Sequence, residues 1–275
     1  MISVVILTKN ESTDIGGAIR SVSFSNDVHV FDSMSTDGTQ EIARSLGATV
    51  HERVFDNYAA QRNASLTQPA FRHDWVLILD ADERPTRELV AEMQRAVATA
   101  DADVDGFRLR RHDYLWGTWL EHAQITPYYT RLVRRGRARY VREINELLEV
   151  DGRIVELQAP LNHYPFSKGI AHWVAKHNVY STMEAQLLAS GAATADASLQ
   201  VALFGKDRGE RRAAQKALFF KLPMRPVFKW IYMMFIRGAV LDGYAGLTYS
   251  TLQSFYEYLI ELKRREIMHE RLLNI

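Results

Sequence analysis

A chain of 275 residues with 47% hydrophobic and 24% charged side chains is long enough for one large domain, or one domain with an appendage, around a real core. It holds no cysteine, which excludes a disulfide framework, a thiolate metal site and a cysteine nucleophile, and suits a reducing cytosol. The net charge of +1 conceals an asymmetry: from Val201 onward 13 Lys and Arg face 7 Asp and Glu, whereas the first 200 residues carry 21 against 26. A basic C-terminal quarter on an acidic body points to an anionic partner surface.

Ile2 to Thr8 reads as a buried strand rather than a signal peptide, since no basic segment precedes its short apolar run. Lys9-Asn10-Glu11-Ser12 is the turn after it, and Ile15, Ala18, Ile19 and Val22 mark a helix. Val28 to Phe31 is a second strand, ending in Asp32-Ser33-Met34-Ser35-Thr36-Asp37-Gly38-Thr39. Asp37 is placed to cap a helix over Thr39 to Leu46, which Gly47 closes. Asp32 at a strand end suits a ribose or base contact, and starting a turn is the plainer reading. A strand over Thr49 to Val54 and a helix over Asn57 to Leu66 follow.

Trp75-Val76-Leu77-Ile78-Leu79 then runs straight into Asp80-Ala81-Asp82-Glu83-Arg84. Such a run is what a strand buried on both faces of a parallel sheet looks like. Pro85 and Thr86 open a helix through Glu88, Leu89, Met93 and Val97, so the acids sit at the carboxyl end of a central strand, where open α/β sheets bind ligands. Two carboxylates one residue apart can share a divalent cation, with magnesium or manganese taking further oxygens from a diphosphate. An acidic surface turn is the alternative. Strands alternating with helices predict a doubly wound α/β fold with a parallel sheet. No G-x-G-x-x-G follows the first strand and no G-x-x-x-x-G-K-[ST] occurs, which removes the main support for dinucleotide oxidoreductases and P-loop enzymes.

Four stretches in order, Thr8-Lys9-Asn10-Glu11, Asp32 to Thr39, Gln61-Arg62-Asn63 and Leu79-Asp80-Ala81-Asp82-Glu83, resemble the family 2 glycosyltransferases of the GT-A fold. Within them the chain is most similar to the bacterial group that includes glucosyltransferases of the lipopolysaccharide inner core. The resemblance implies a mostly parallel sheet flanked by helices with a helical C-terminal appendage, a UDP-sugar donor and a divalent metal, Mn2+ or Mg2+. It puts Asn10 and Glu11 near the uracil, Asp32 near the base or ribose, and Asp80 and Asp82 at the ribose and the metal. Thr8, Ser33, Asp37, Gln61, Asn63 and Ala81 complete the implied nucleotide-sugar site.

Gly106 to Tyr114 and Tyr128 to Val133 alternate as half-exposed strands should, the second ending in Arg134-Arg135-Gly136-Arg137. Arg131, Arg134 and Arg135 suit a diphosphate or a phosphorylated acceptor, and a solvated strand edge is the alternative. In Ile144-Asn145-Glu146-Leu147-Leu148 the resembling group has His-Glu before the apolar pair; Asn145 replaces the histidine and Glu146 is kept. Glu146 is the expected catalytic base, ahead of Glu143 and Asp113. Pro160-Leu161-Asn162-His163-Tyr164-Pro165 matches another element of the group, with His163 as metal ligand, diphosphate contact or loop-packing residue.

Gly169 to Ala189 reads as a helix, and the small, polar Ser190 to Ser198 as a linker. The expected division is a transferase domain over residues 1–190, its nucleotide-sugar half about 1–100 and its acceptor half about 101–190, and a helical, basic and aromatic region over 191–275. In that region Lys221, Arg225, Lys229, Trp230 and Arg237 punctuate bulky apolar residues, which suits a helix lying in a membrane interface over anionic lipid. A core helix with snorkelling lysines is the alternative. No run approaches the roughly 18 apolar residues of a spanning helix. Leu252, Phe255, Leu259 and Leu262 read as a core stripe, with a homo-oligomer through that helix left open.

The expectation is an inverting, metal-dependent transferase moving a hexose, glucose by resemblance, from a UDP-sugar to a lipopolysaccharide core or other lipid-linked glycan. It would be peripheral on the inner face of the cytoplasmic membrane, with no nucleic-acid partner. A nucleotidyltransferase is one rival, although Thr8-Lys9-Asn10-Glu11 lacks the glycine its first loop needs. A non-catalytic membrane scaffold is the other, and the retention of Asp80, Asp82 and Glu146 argues against it.

Overall fold

A computed structural model of the chain describes residues 1–124, 128–141, 147–190, 198–205 and 208–273, apart from the side chains of residues 199, 208–210, 212, 213, 216 and 221. They form two units: Met1–Tyr114 with Thr126–Ser167, and Leu115–Ile125 with Lys168–Ile275.

The first unit begins with β1 (Ile2–Thr8), α1 (Ile15–Ser21), β2 (Val28–Asp32), α2 (Thr39–Ser45), β3 (Thr49–Glu52), α3 (Tyr58–Thr67) and β4 (Trp75–Asp80). Four strands lie parallel in the order β3-β2-β1-β4. Alternation explains why their apolar runs are continuous. Leu77 and Leu79 enter one core with Val4, Ile6 and Leu89, while Val76 and Ile78 enter another with Val5 and Phe31 on the opposite face. Local signals set the helix starts: Asn57 accepts the Ala60 N–H at 2.8 Å and Thr86 accepts that of Leu89 at 3.1 Å.

Beyond β4 come β5 (Glu83–Pro85), α4 (Arg87–Ala98), β6 (Val104–Leu115), which turns at Trp116 and Gly117 into short β7 (Thr118–Trp119), β8 (Tyr128–Arg134), β9 (Ala138–Val141), β10 (Leu147–Val150) and β11 (Arg153–His163). The sheet continues β4-β8-β6-β11-β5, antiparallel except for β6 with β11, and β9 pairs with β10 in a small separate sheet. The architecture is the mostly parallel, helix-flanked sheet that the resemblance implied.

The second unit holds α5 (Gly169–Ala189), α6 (Leu199–Phe204), α7 (Arg208–Lys221), α8 (Arg225–Ile231), a π-helical turn over Tyr232–Ile236, a 3-10 turn over Ala239–Asp242 and α9 (Gly243–Leu273). The division falls after Ser167 rather than after Ser190, because α5 packs along α9. Lys263 Nζ of α9 reaches Asn178 O, Ser181 Oγ and Thr182 Oγ1 of α5 at 2.6–2.8 Å. The expected core stripe of α9 is not its buried face: Phe255 and Leu262 are exposed, whereas Tyr249, Ser250, Glu257 and Ile260 are buried. Among the described residues, no helix is long and apolar enough to cross a membrane.

Candidate functional site

Because β1 lies between β2 and β4, the chain leaves it on one side and returns on the other, which makes the carboxyl ends of β1 and β4 a topological switch point. Register aligns the expected site residues there: Thr8 pairs with Asp32, and Leu7 with Asp80.

The loops after β1 and β2 are knitted into one structure. Thr8 Oγ1 and Ser35 Oγ donate to Asp32 Oδ2 at 2.6 Å, while the Ser35 N–H (2.7 Å) and Gln40 Nε2 (2.8 Å) donate to Oδ1. Asp32 is wholly buried. Burial opposes its charge, yet these donors hold the carboxyl below the usual range. Through these bonds Asp32 organises the loop. Asn10, itself at φ 54, donates its N–H to Ser35 Oγ and accepts that of Thr36. The N–H of Glu11 goes to Thr39 Oγ1 and that of Ser12 to Asp37. Gly38, not Asp37, is the N-cap of α2; Asp37 accepts the N–H and hydroxyl of Thr39, and despite partial burial these bonds lower its carboxyl to about 2.

Two further expected nucleotide residues hold the framework instead. Gln61 is buried, donating to Ser33 Oγ at 2.9 Å and accepting from Arg53 Nη1 at 2.7 Å. Asn63 grips the backbone of Tyr140 with both ends of its amide, at 2.7 and 2.8 Å. Ala81 is buried in the core below the acids.

At the end of β4 the acids divide their labour. Asp80 is bound by Arg131 Nη2 at 2.7 Å and Arg62 Nη2 at 3.1 Å, and Arg131 also reaches Glu83 at 2.6 Å. Glu83 is completely buried and accepts the Asp80 N–H. Burial works against Asp80's charge, but Arg131 and Arg62 outweigh it and hold its carboxyl well below the usual range. Burial pushes Glu83 up, with Arg131 opposing and Asp80 adding to the rise. Arg131 is thus a buried counter-ion to two carboxylates. Arg134 likewise pairs with Asp105 at 3.0 Å, and Arg135 donates to Phe71 O at 2.6 Å.

Asp82 faces a different partner. Its Oδ2 is 3.2 Å from His163 Nε2, and His163 Nδ1 is 2.5 Å from Asp113 Oδ1. β11 runs between β6 and β5, so His163 stands opposite Asp113 on one side and Glu83 on the other. Asp113, an alternative base in the sequence, is buried and also paired with Arg111 at 2.9 Å, which makes it the group that orients His163. Burial would lower the imidazole, but Asp113 and Asp82 raise it to about 9. Asp82 and His163 would be the residues to hold a divalent cation, and a ligating histidine with its second nitrogen on a carboxylate is the usual support for one. Among the described residues no group of three or more His, Asp or Glu is placed to hold a metal ion, so the pair would supply two ligands to an ion that takes its remaining oxygens from elsewhere. Glu146, with Glu143 and Asn145, lies outside the described residues.

Three of the four cations nominated for a membrane have partners or burial within the protein. Arg225 is buried, Lys229 pairs with Glu257 at 3.0 Å, and Arg237 donates to His122 O and Gln124 O at 3.1 and 3.0 Å. Trp230 Nε1 donates to Thr251 Oγ1 at 3.2 Å, and the Lys221 side chain is outside the described residues. Asp113, Glu83 and Arg62 went unassigned to these roles from sequence; Glu83 and Arg62 did stand inside the motifs quoted, which was the one available signal.

A relative from Rickettsia bellii, an uncharacterized glycosyltransferase, is 30% identical, the match covering 97% of this chain and 86% of that protein. The lipopolysaccharide core biosynthesis glycosyltransferase LpsC of Rhizobium meliloti is 25% identical over 95% of this chain and 91% of its own. Glucosyl-3-phosphoglycerate synthase from Mycobacterium tuberculosis, solved with Mn2+, UDP and glucosyl-3-phosphoglycerate, matches at 24% identity with a TM-score of 0.35, over 42% of this chain and 44% of that one. The family model described as glycosyl transferase family 2 matches residues 3–151, more than half of the sequence. The chain belongs to glycosyl transferase family 2.

Proposed function

We propose that the chain transfers a hexose from a UDP-sugar to a lipopolysaccharide core or other lipid-linked glycan, with inversion at the anomeric carbon. The observation that carries the reading is the Asp82–His163 pair at the carboxyl end of β4, with His163 held by Asp113. Asp82 and His163 would hold Mn2+ or Mg2+. A bound ion supplies positive charge against the diphosphate as it leaves. The joined loops of Asn10, Glu11 and Ser33 to Asp37 give the uridine a rigid floor, since their polar groups already fix one another. Glu146 is kept as the base on the strength of the motif. Its carboxylate takes the proton of the acceptor hydroxyl as that oxygen bonds to the anomeric carbon and the bond from that carbon to UDP breaks. The acceptor class is supported by the relative named for lipopolysaccharide core biosynthesis.

We further propose that the helical unit meets the inner face of the cytoplasmic membrane through apolar rather than cationic side chains. Phe235, Ile236 and Leu241 are 64%, 74% and 73% exposed, and Phe228, Tyr232 and Tyr244 are exposed beside them in sequence. Aromatic and aliphatic groups so mixed suit the headgroup boundary. The test of transfer is UDP release from a panel of nucleotide sugars, with manganese, magnesium or chelator and membrane lipid extract as acceptor. Chelator-sensitive release from one UDP-sugar that rises with the extract is expected; release indifferent to chelator and extract would remove the reading.

A further inference from the structure

Arg225 opens α8 and is 1% exposed, the largest side chain among the described residues to be so completely buried. The backbone enters the helix through Met224 at φ 52, a left-handed conformation uncommon for a residue with a side chain. The guanidinium lies over the Phe220 ring, 5.0 Å from its centroid. Neither Nη1 nor Nη2 has a hydrogen-bond partner among the described residues. The nearby buried acid, Glu257, accepts from Lys229 Nζ through Oε1. Folded chains seldom leave such donors unpaired, because burial removes their water without replacing it.

Arg225 lines a groove of about 490 Å³ between the end of α7, the start of α8 and the last turns of α9. Arg264 and Arg265 line it as well, against a single carboxylate, Glu261, which pairs with Arg265. Positive charge is therefore in excess. The remaining wall is aliphatic, with Leu222, Met268 and Leu272, and Glu261, Arg264, Arg265, Met268 and Leu272 follow one face of α9 at helical spacing. Paired arginines suit a phosphate, which takes guanidinium forks through two oxygens at once. Apolar walls beside them suit a hydrocarbon chain attached to that phosphate.

We propose that this groove binds a lipid phosphate, its anionic group on Arg225 and Arg264 and its chain along Leu222, Met268 and Leu272. The site shares no residue with the Asp82–His163 pair and stands whether or not the transfer reading does.

The test is calorimetric titration of the whole chain with dioctanoyl phosphatidic acid below its aggregation point, with dioctanoylglycerol, with inorganic phosphate and with UDP. Saturable binding of the lipid phosphate, at least tenfold tighter than inorganic phosphate and absent for the diglyceride, is expected. UDP should compete with none of it. Arg225→Gln should weaken the lipid phosphate at least tenfold. Since that variant alters a buried position, Arg264→Gln is the second probe, with a several-fold loss expected while the far-UV circular dichroism and UDP binding stay unchanged. Absence of saturable binding, equal affinity for inorganic phosphate, or binding that survives both substitutions overturns the site.

Discussion

His163 and Asp113 are register partners on β11 and β6, and their side chains meet at 2.5 Å from Nδ1 to Oδ1. Parallel pairing of two strands 50 residues apart aims Nε2 at Asp82, so the ring's orientation is a property of the sheet. Asp113→Ala should therefore lower divalent-metal affinity by about 10- to 100-fold without unfolding the protein. Manganese titration followed by electron paramagnetic resonance, in the presence of UDP, measures it. An affinity unchanged within about twofold would assign His163 to packing.

Arg131 sits between Asp80 and Glu83, and removing it leaves Glu83 buried without its counter-ion and Asp80 with Arg62 alone. Arg131→Met should cost about 3–5 kcal/mol, since breaking a buried pair strands the remaining charge. Adding Glu83→Gln should restore part of that loss. Urea unfolding of the single and double variants measures both; a single variant as stable as the parent would show the network to be idle.

These two relationships mark the limits of what the linear sequence disclosed. The five apolar residues of β4 and the acids after it were legible because a strand's burial and its end are local facts. His163 was legible as a candidate from its motif. The partners of Arg131 were not, since its alternation with Leu132 and Val133 looks the same whether a guanidinium meets solvent or a carboxylate across the sheet. Asp113 was hidden in an arginine-rich strand for the same reason. Arg225 misled because its neighbours are what an interfacial helix would carry, and only the left-handed turn at Met224 takes it inside.

Asp32 ties the loop after β2 to the end of β1, and its acidity gives that tie a pH signature. Its folded value is lowered, so the stability it contributes is fully present above the unfolded value, about 3.9, and is lost as pH falls through the lower folded value. Asp32→Asn should be less stable than the parent near pH 7 by about 1–3 kcal/mol, having lost hydrogen bonds to a charged acceptor. The difference should shrink as pH falls below about 3.9. Guanidinium unfolding at a series of pH values reads this directly. A difference that stays constant from pH 7 to 2.5 would mean the side chain acts by shape alone.

Phe235 and Ile236 belong to the π-helical turn, where an extra residue in the turn leaves both side chains outside the packed face that holds Met233 and Met234. Two large exposed apolar groups side by side gain by leaving water, about 1.5–3 kcal/mol each on full burial. Replacing both with serine should cut sedimentation with vesicles at least tenfold while leaving thermal stability near the parent's. Lys229→Gln should behave the other way, losing stability through Glu257 while retaining most vesicle binding. Vesicles with and without anionic lipid separate the two contributions. If the serine pair still sedimented like the parent and Lys229→Gln did not, the cations would be the anchor and the apolar face would have another partner.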